Sequence, residues 1–173
     1  RSRYVLYPGT QSITAASAPK ILNRPYSINA EVELTDESAG VLLSMGGNDG
    51  GITLYIKDGL LCYAHNYVAK EVFTVRSDNR VPTGRHFLSV EFAPTGKPDV
   101  KNGKGTPGTL TLFVDGTEVG RGEFPVTTPI RLAQGGAMLV GADTGSSVSP
   151  DYDPPFKFDG RIHRVIVDVS GAH

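Results

Sequence analysis

Apolar residues recur at every second position in short runs along this chain, and Gly, Pro, Asp and Asn punctuate the runs. A period of two places alternate side chains on opposite faces of an extended backbone, whereas a helix needs apolar residues three and four apart. That helical spacing is almost absent. The alternation predicts strands over 26–34, 41–45, 52–57, 60–67, 71–76, 85–92, 109–114, 117–121, 137–140 and 161–169, with a short strand over 4–7. Many short strands separated by turn residues predict a sandwich or barrel rather than βαβ units.

Two hairpins are defined most sharply. Asp58-Gly59 and Asp115-Gly116 each stand between alternating runs, where a tight type I′ turn needs two residues that tolerate positive φ. A two-residue loop at Asp58-Gly59 sets Ile56 opposite Leu61, Leu54 opposite Tyr63 and Ile52 opposite His65, all on one face. That face is expected to be core. The opposite face carries Thr53, Tyr55, Lys57, Cys62 and Asn66 and is expected to be a surface or groove. In the last strand Val165, Val167 and Val169 share a face while Ile162 is out of phase, which predicts a bulge between them.

Two long loops remain, 94–108 and 143–157. Loops of this length are uncommon without a function or a packing partner. Neither marks a domain boundary, so 1–173 reads as a single domain. The segment 19–25 leads into the first long strand.

Composition narrows the class. A chain of 173 residues buries about 70 % of its unfolded surface, enough to fold without disulfide or metal. The net charge of −1, from 17 basic and 18 acidic residues well interspersed, argues against a nucleic-acid surface and against electrostatic membrane docking. No apolar run approaches the roughly 20 residues of a membrane-spanning helix. Cys62 is the single cysteine, which is compatible with a reducing compartment such as a bacterial cytoplasm without deciding it. The chain opens at Arg1 with neither an initiator Met nor a signal segment, and is read as cut from a longer protein whose targeting segment would lie upstream.

Catalytic chemistry finds little footing. A jelly-roll glycosidase needs two carboxylates facing one groove, in the familiar glucanases as Glu-x-Asp-x-Glu on one strand. That run is absent. Glu31 and Glu33 share a strand face, but their alternation with Ile28, Ala30, Val32 and Leu34 reads as an ordinary solvated face. There is no Gly-x-Ser-x-Gly elbow. Cys62 and His65 are three apart in a strand, so they point to opposite faces and do not form a nucleophile pair. The histidines His65, His86, His163 and His173 are scattered, without zinc spacing. Asp143, Asp151 and Asp153, with Asp159 beyond them, supply oxygen ligands in one loop and are the candidate calcium residues, although the EF-hand pattern is missing. No other cofactor is expected. Sugar recognition favours flat aromatic platforms. With no Trp, Tyr55, Tyr67 and Tyr152 are the candidates. Tyr55, Asn66, Tyr67, Tyr152 and Phe156 together make the candidate interface or ligand face.

An ordered set of motifs carries a resemblance. Asn23-Arg24-Pro25-Tyr26-Ser27-Ile28 is followed by Gly40-Val41-Leu42, then Gly50-Gly51-Ile52-Thr53-Leu54-Tyr55 and Lys57-Asp58-Gly59. Tyr63, Asn66-Tyr67 and Val81-Pro82-Thr83-Gly84-Arg85-His86 come next. Gly108-Thr109-Leu110-Thr111-Leu112-Phe113-Val114-Asp115-Gly116, Gly141-Ala142-Asp143-Thr144-Gly145 and Phe156-Lys157-Phe158-Asp159-Gly160-Arg161-Ile162 complete the series. Together they resemble the C-terminal domain of the large bacterial arylsulfatases common in actinobacteria, over nearly the whole chain. The architecture resembles the concanavalin A-like, laminin-G-like fold. The resemblance implies an all-β, two-sheet antiparallel jelly-roll sandwich with little or no helix. It also implies that the catalytic site, with its formylglycine and calcium, lies in an absent upstream α/β domain of the same chain. This domain would pack on that partner and support it. Cys62-Tyr63-Ala64-His65-Asn66 does not match the family's Cys-x-Pro/Ala-x-Arg. The alternative expectation is a carbohydrate-binding module of laminin-G type with a glycan as partner, and a jelly-roll glycan hydrolase is the third.

Overall fold

The computed structural model describes residues 2–9, 12–14, 16–132 and 137–170. Eleven strands follow in chain order: β1 Arg3–Leu6, β2 Tyr26–Leu34, β3 Gly40–Gly47, β4 Gly50–Lys57, β5 Leu60–Tyr67 and β6 Glu71–Arg76, then β7 Gly84–Pro94, β8 Gly108–Val114, β9 Thr117–Phe124, β10 Met138–Val140 and β11 Arg161–Asp168. One 3₁₀ turn, Val100–Asn102, lies between β7 and β8. His173 is outside the described residues.

The strands form two antiparallel sheets. One has six strands in the order β1-β11-β2-β7-β8-β9, and the other has five in the order β10-β3-β4-β5-β6. The main core lies between them, with Ile28, Ala30 and Val32 of β2, Leu88 and Val90 of β7, and Leu54, Ile56, Leu61 and Tyr63 of β4 and β5 all buried. Burying each large aliphatic chain contributes about 1.5–3 kcal/mol. The polar end of Tyr63 is satisfied inside this core, because its hydroxyl lies 2.6 Å from that of Tyr26.

Turn chemistry sets the register. Asp58 and Gly59 have φ of 53° and 76°, and Asp115 and Gly116 have 50° and 82°, as type I′ turns require. The facing pairs are Ile56–Leu61, Leu54–Tyr63 and Ile52–His65. The irregularity expected in the last strand falls between Ile162 and Arg164. β9 runs three residues further than the alternation predicts. The inward positions Gly120 and Gly122 interrupt the apolar alternation before the inward, buried Phe124. Glycine is needed because β6 closes against this edge: a Cβ on Gly120 would lie 2.8 Å from the Arg76 carbonyl oxygen, and one on Gly122 would lie 2.6 Å from Val75.

The loop between β7 and β8 is tied down at several points. Tyr67 donates its hydroxyl to the Gly103 carbonyl at 2.5 Å. The Thr106 amide donates to Asn23 Oδ1, and Thr127 Oγ1 donates to the Thr106 carbonyl.

Candidate functional site

The face expected to be open is sealed. Residues 141–158 run as a strap across the outer face of the five-stranded sheet. Val41, Tyr55, Cys62 and Ala64 point outward from that sheet, yet they are buried with Tyr152 in a second apolar cluster, flanked by the half-buried Phe156. The rings of Tyr55 and Tyr152 meet edge-on at 5.0 Å, and Tyr152 stacks on Phe156 at 5.0 Å. Asn66 is buried, donates to the Val148 carbonyl at 2.9 Å and accepts the Ala69 amide. Four of the five candidate ligand-face residues therefore come together, but as an intramolecular seam. Tyr67 stands apart from them, buried against the 94–108 loop. The expectation of an exposed face fails because an outward row of Val, Tyr, Cys and Ala costs too much to leave wet, and the strap supplies the cover.

The acidic residues of the strap are locks within it. Asp151 accepts Tyr55 Oη at 2.6 Å and Arg76 Nη2 at 3.1 Å on one oxygen, and Lys57 Nζ at 2.9 Å on the other. Partial burial would raise its pKa, but these three donors outweigh that and hold the carboxyl down at about 2. Asp143 is buried, where Oδ2 accepts the Val148 amide at 2.8 Å and the Tyr152 hydroxyl at 2.5 Å. Burial pushes its pKa up against those two bonds. Asp153 is exposed. The structure does not gather Asp143, Asp151 and Asp153 around a common point, and among the described residues no three His, Cys, Asp or Glu side chains group as a cation site. Asp159 caps the strap's exit by accepting the Ala39 amide at 2.9 Å.

Cys62 and His65 face opposite ways. Burial beneath the strap raises the Cys62 thiol to about 11. His65 lies on the inner side, where burial lowers its pKa to about 4, so the ring is neutral at pH 7. Its Nε2 accepts the Thr128 amide at 3.1 Å.

That bond helps to build a groove that no motif announced. The groove encloses about 700 Å³ between residues 16–24 and 129–132, with Met45 of β3 at its base. Its walls are fastened together. Asn23, in the left-handed region at φ 57°, donates Nδ2 to the Pro129 carbonyl at 2.8 Å, and His65 holds the neighbouring Thr128. Ile21, Met45 and Leu132 form a buried apolar floor. Ile130 stands on the rim, 73 % exposed. Lys20, Arg24 and Arg131 are the charged lining residues, all cationic, and Arg24 is anchored through Nη2 to the Val169 carbonyl at 2.6 Å. A groove of this volume, mostly apolar with a few polar groups, has the make-up of a small-ligand site.

Glu31 and Glu33 also differ from a plain solvated face. Glu31 is buried on the outer face of the six-stranded sheet. Arg85 binds its Oε2 through Nε and Nη2, and Arg164 Nε binds Oε1 at 3.1 Å. Hydrogen bonding by Arg85, against the opposing effect of desolvation, lowers the Glu31 pKa. A carboxyl held ionised in this way is no general acid. Glu33 bonds His163 Nε2 at 2.9 Å.

No family model matches the chain, and a search of curated proteins finds no match. Solved structures do match. The carbohydrate-binding module CBM40 of the Ruminococcus gnavus IT-sialidase, solved with α2,3-sialyllactose, aligns at TM-score 0.63 and 16 % identity, covering 100 % of this chain and 92 % of that one. Domains LG4-5 of the mouse laminin α1 chain align at TM-score 0.57 and 17 % identity, over 96 % of this chain and 40 % of that one. The Streptococcus pneumoniae NanB sialidase aligns at TM-score 0.60 and 14 % identity, over 100 % of this chain and 27 % of that one. The fold is thus a laminin-G-like jelly roll.

Proposed function

We propose that this chain is a non-catalytic carbohydrate-binding module whose ligand occupies the groove between residues 16–24 and 129–132. The groove itself carries the reading. It is preformed, its walls are pinned by Asn23 and His65, and its apolar floor suits the C–H face of a sugar ring while Arg131 and Lys20 offer donors to hydroxyl or acidic groups. The likeness to a module solved with sialyllactose supports the reading at the level of architecture. The test is a glycan array probed with the chain, followed by calorimetry on the best glycan. Ile130→Ser and Arg131→Ala change exposed side chains and leave the core intact, and each is expected to weaken binding about tenfold. An array without a hit, or a hit that neither variant weakens, would sink this reading.

A second reading concerns context. The fold also occurs as about a quarter of a larger enzyme in the NanB alignment, and the ordered motifs resemble arylsulfatase C-terminal domains. In this reading the chain supports a sulfatase catalytic domain in the same polypeptide. Antibody capture of the native protein separates the two. A product far heavier than 18.4 kDa that hydrolyses sulfate esters supports the sulfatase context. A product near that mass removes it.

A further inference from the structure

A second cluster lies on the outer face of the six-stranded sheet, at the opposite end of β2 from the groove. β2 places Glu31 level with Arg164 of β11 on one side and Phe87 of β7 on the other, and Glu33 level with Arg161 and Arg85. Register partners share a face, so these six side chains form one patch, with the Cβ atoms of neighbouring pairs about 4.5–5.5 Å apart. Glu31 is its buried centre, while the side chains of Arg85, Arg161 and Arg164 are 55 %, 72 % and 46 % exposed.

Glu31 works as a clamp. It takes Nε and Nη2 of Arg85 and only Nε of Arg164. Among the described residues the terminal nitrogens of Arg164 have no protein partner, and Arg161 approaches Glu33 no closer than 3.9 Å. Three guanidiniums face two carboxylates, which leaves excess positive charge and unused fork donors. Two of these forks are held in place by a buried anion, so little side-chain entropy remains to be lost on binding. Beside them Phe87 is 43 % exposed, a large apolar ring set among charges. Asp115, in the turn after β8, accepts the Phe87 amide and is paired with His86 at 2.6 Å.

An aromatic ring next to positioned guanidiniums matches one ligand chemistry: a sugar ring that carries an oxyanion. The ring's C–H face covers Phe87, and a carboxylate or sulfate accepts from the forks. We propose that Phe87, Arg161 and the Glu31-held Arg164 form a second binding site, selective for acidic saccharides and independent of the groove.

The test uses calorimetry on the whole chain with four probes: a tetragalacturonate, a sulfated heparin-type tetrasaccharide, neutral maltotetraose and inorganic sulfate. Phe87→Ala and Arg164→Gln leave Glu31 its Arg85 partner, so both variants are expected to melt within a few degrees of the parent. At least one acidic tetrasaccharide is expected to bind, more weakly as salt rises, with maltotetraose and inorganic sulfate far weaker. Phe87→Ala and Arg164→Gln should each weaken that binding about tenfold or more, and the same loss should appear when each is added to Arg131→Ala. The carboxylated and sulfated probes show which oxyanion is preferred. The proposal is overturned if neither acidic probe binds, if maltotetraose or free sulfate binds as tightly, or if the two sheet-face variants bind like the parent. Loss in Arg131→Ala alone would return acidic binding to the groove and likewise remove the second site.

Discussion

Tyr152→Phe should loosen the strap while keeping its packing. The ring contacts with Tyr55 and Phe156 survive in phenylalanine, so the change isolates the hydroxyl. That hydroxyl donates to the buried Asp143 carboxylate at 2.5 Å and lies 3.0 Å from the Thr53 hydroxyl. Without it Asp143 retains the Val148 amide alone on Oδ2, and Oδ1 is already buried without a partner. Losing a hydrogen bond to a buried charge costs about 2–3 kcal/mol. Cys62 reports the result, because it is the only thiol and lies beneath the strap, 1 % exposed. Labelling by a thiol reagent needs the strap to open, and under native conditions its rate follows the opening equilibrium. At about 1.4 kcal/mol per factor of ten, labelling should accelerate roughly 30- to 140-fold. The midpoint of urea unfolding should fall with an unchanged slope. An unaltered labelling rate would show that the strap is not held by this bond.

Three further outcomes follow from the same geometry. His65 has its folded pKa lowered to about 4, so the unfolded chain takes up that proton first. Stability should fall as pH drops from about 6.5 towards 4, by roughly 3 kcal/mol from this group, and urea midpoints of His65→Gln should lack that part of the slope. Asp151 contributes stability that is present above its unfolded pKa and lost as pH falls towards about 2. That contribution is about 2 kcal/mol, and Asp151→Asn should remove the acid-labile part and speed Cys62 labelling. Gly40→Ala places a Cβ 2.4 Å from Phe158 Cα at a φ of +125°. Thermal melts should show a loss of about 3 kcal/mol or more, and a loss under about 1 kcal/mol would mean the strap's exit yields easily.

The strands were legible because each carries its own signal. Alternation defines β2 over nine residues, and Asp-Gly turns fix the register of the β4–β5 hairpin and the first two pairs of β8–β9, as far as the shift between Leu112 and Phe113, without any distant contact. The strap was legible as a long loop in need of a function or a packing partner, but its place across the outer face of the five-stranded sheet was not. Tyr55 and Asp151 are 96 positions apart and Asn66 and Val148 are 82, so no local pattern announces their bonds. One signal was available. In β4 and β5 both faces are apolar, as Ile52, Leu54 and Ile56 alternate with Tyr55 and Leu61 with Cys62, and a strand apolar on both faces is covered on both. The groove was not legible at all. Two of its three floor residues, Ile21 and Leu132, come from irregular segments, and its pins join Asn23 to Pro129 across 106 positions. Glu31 read as solvated because the arginines that bury it come from β7 and β11, which only the sheet order brings alongside β2.

Amide NMR of the nitrogen-15-labelled chain, titrated with the best glycan from the array, decides whether a glycan sits in the groove. A glycan bound there shifts the amides of Leu22, Ile130, Arg131 and Leu132 saturably and leaves the strap amides of Val148 and Asp151 unmoved. Shifts that spare those four residues, or that gather on the strap, would contradict it.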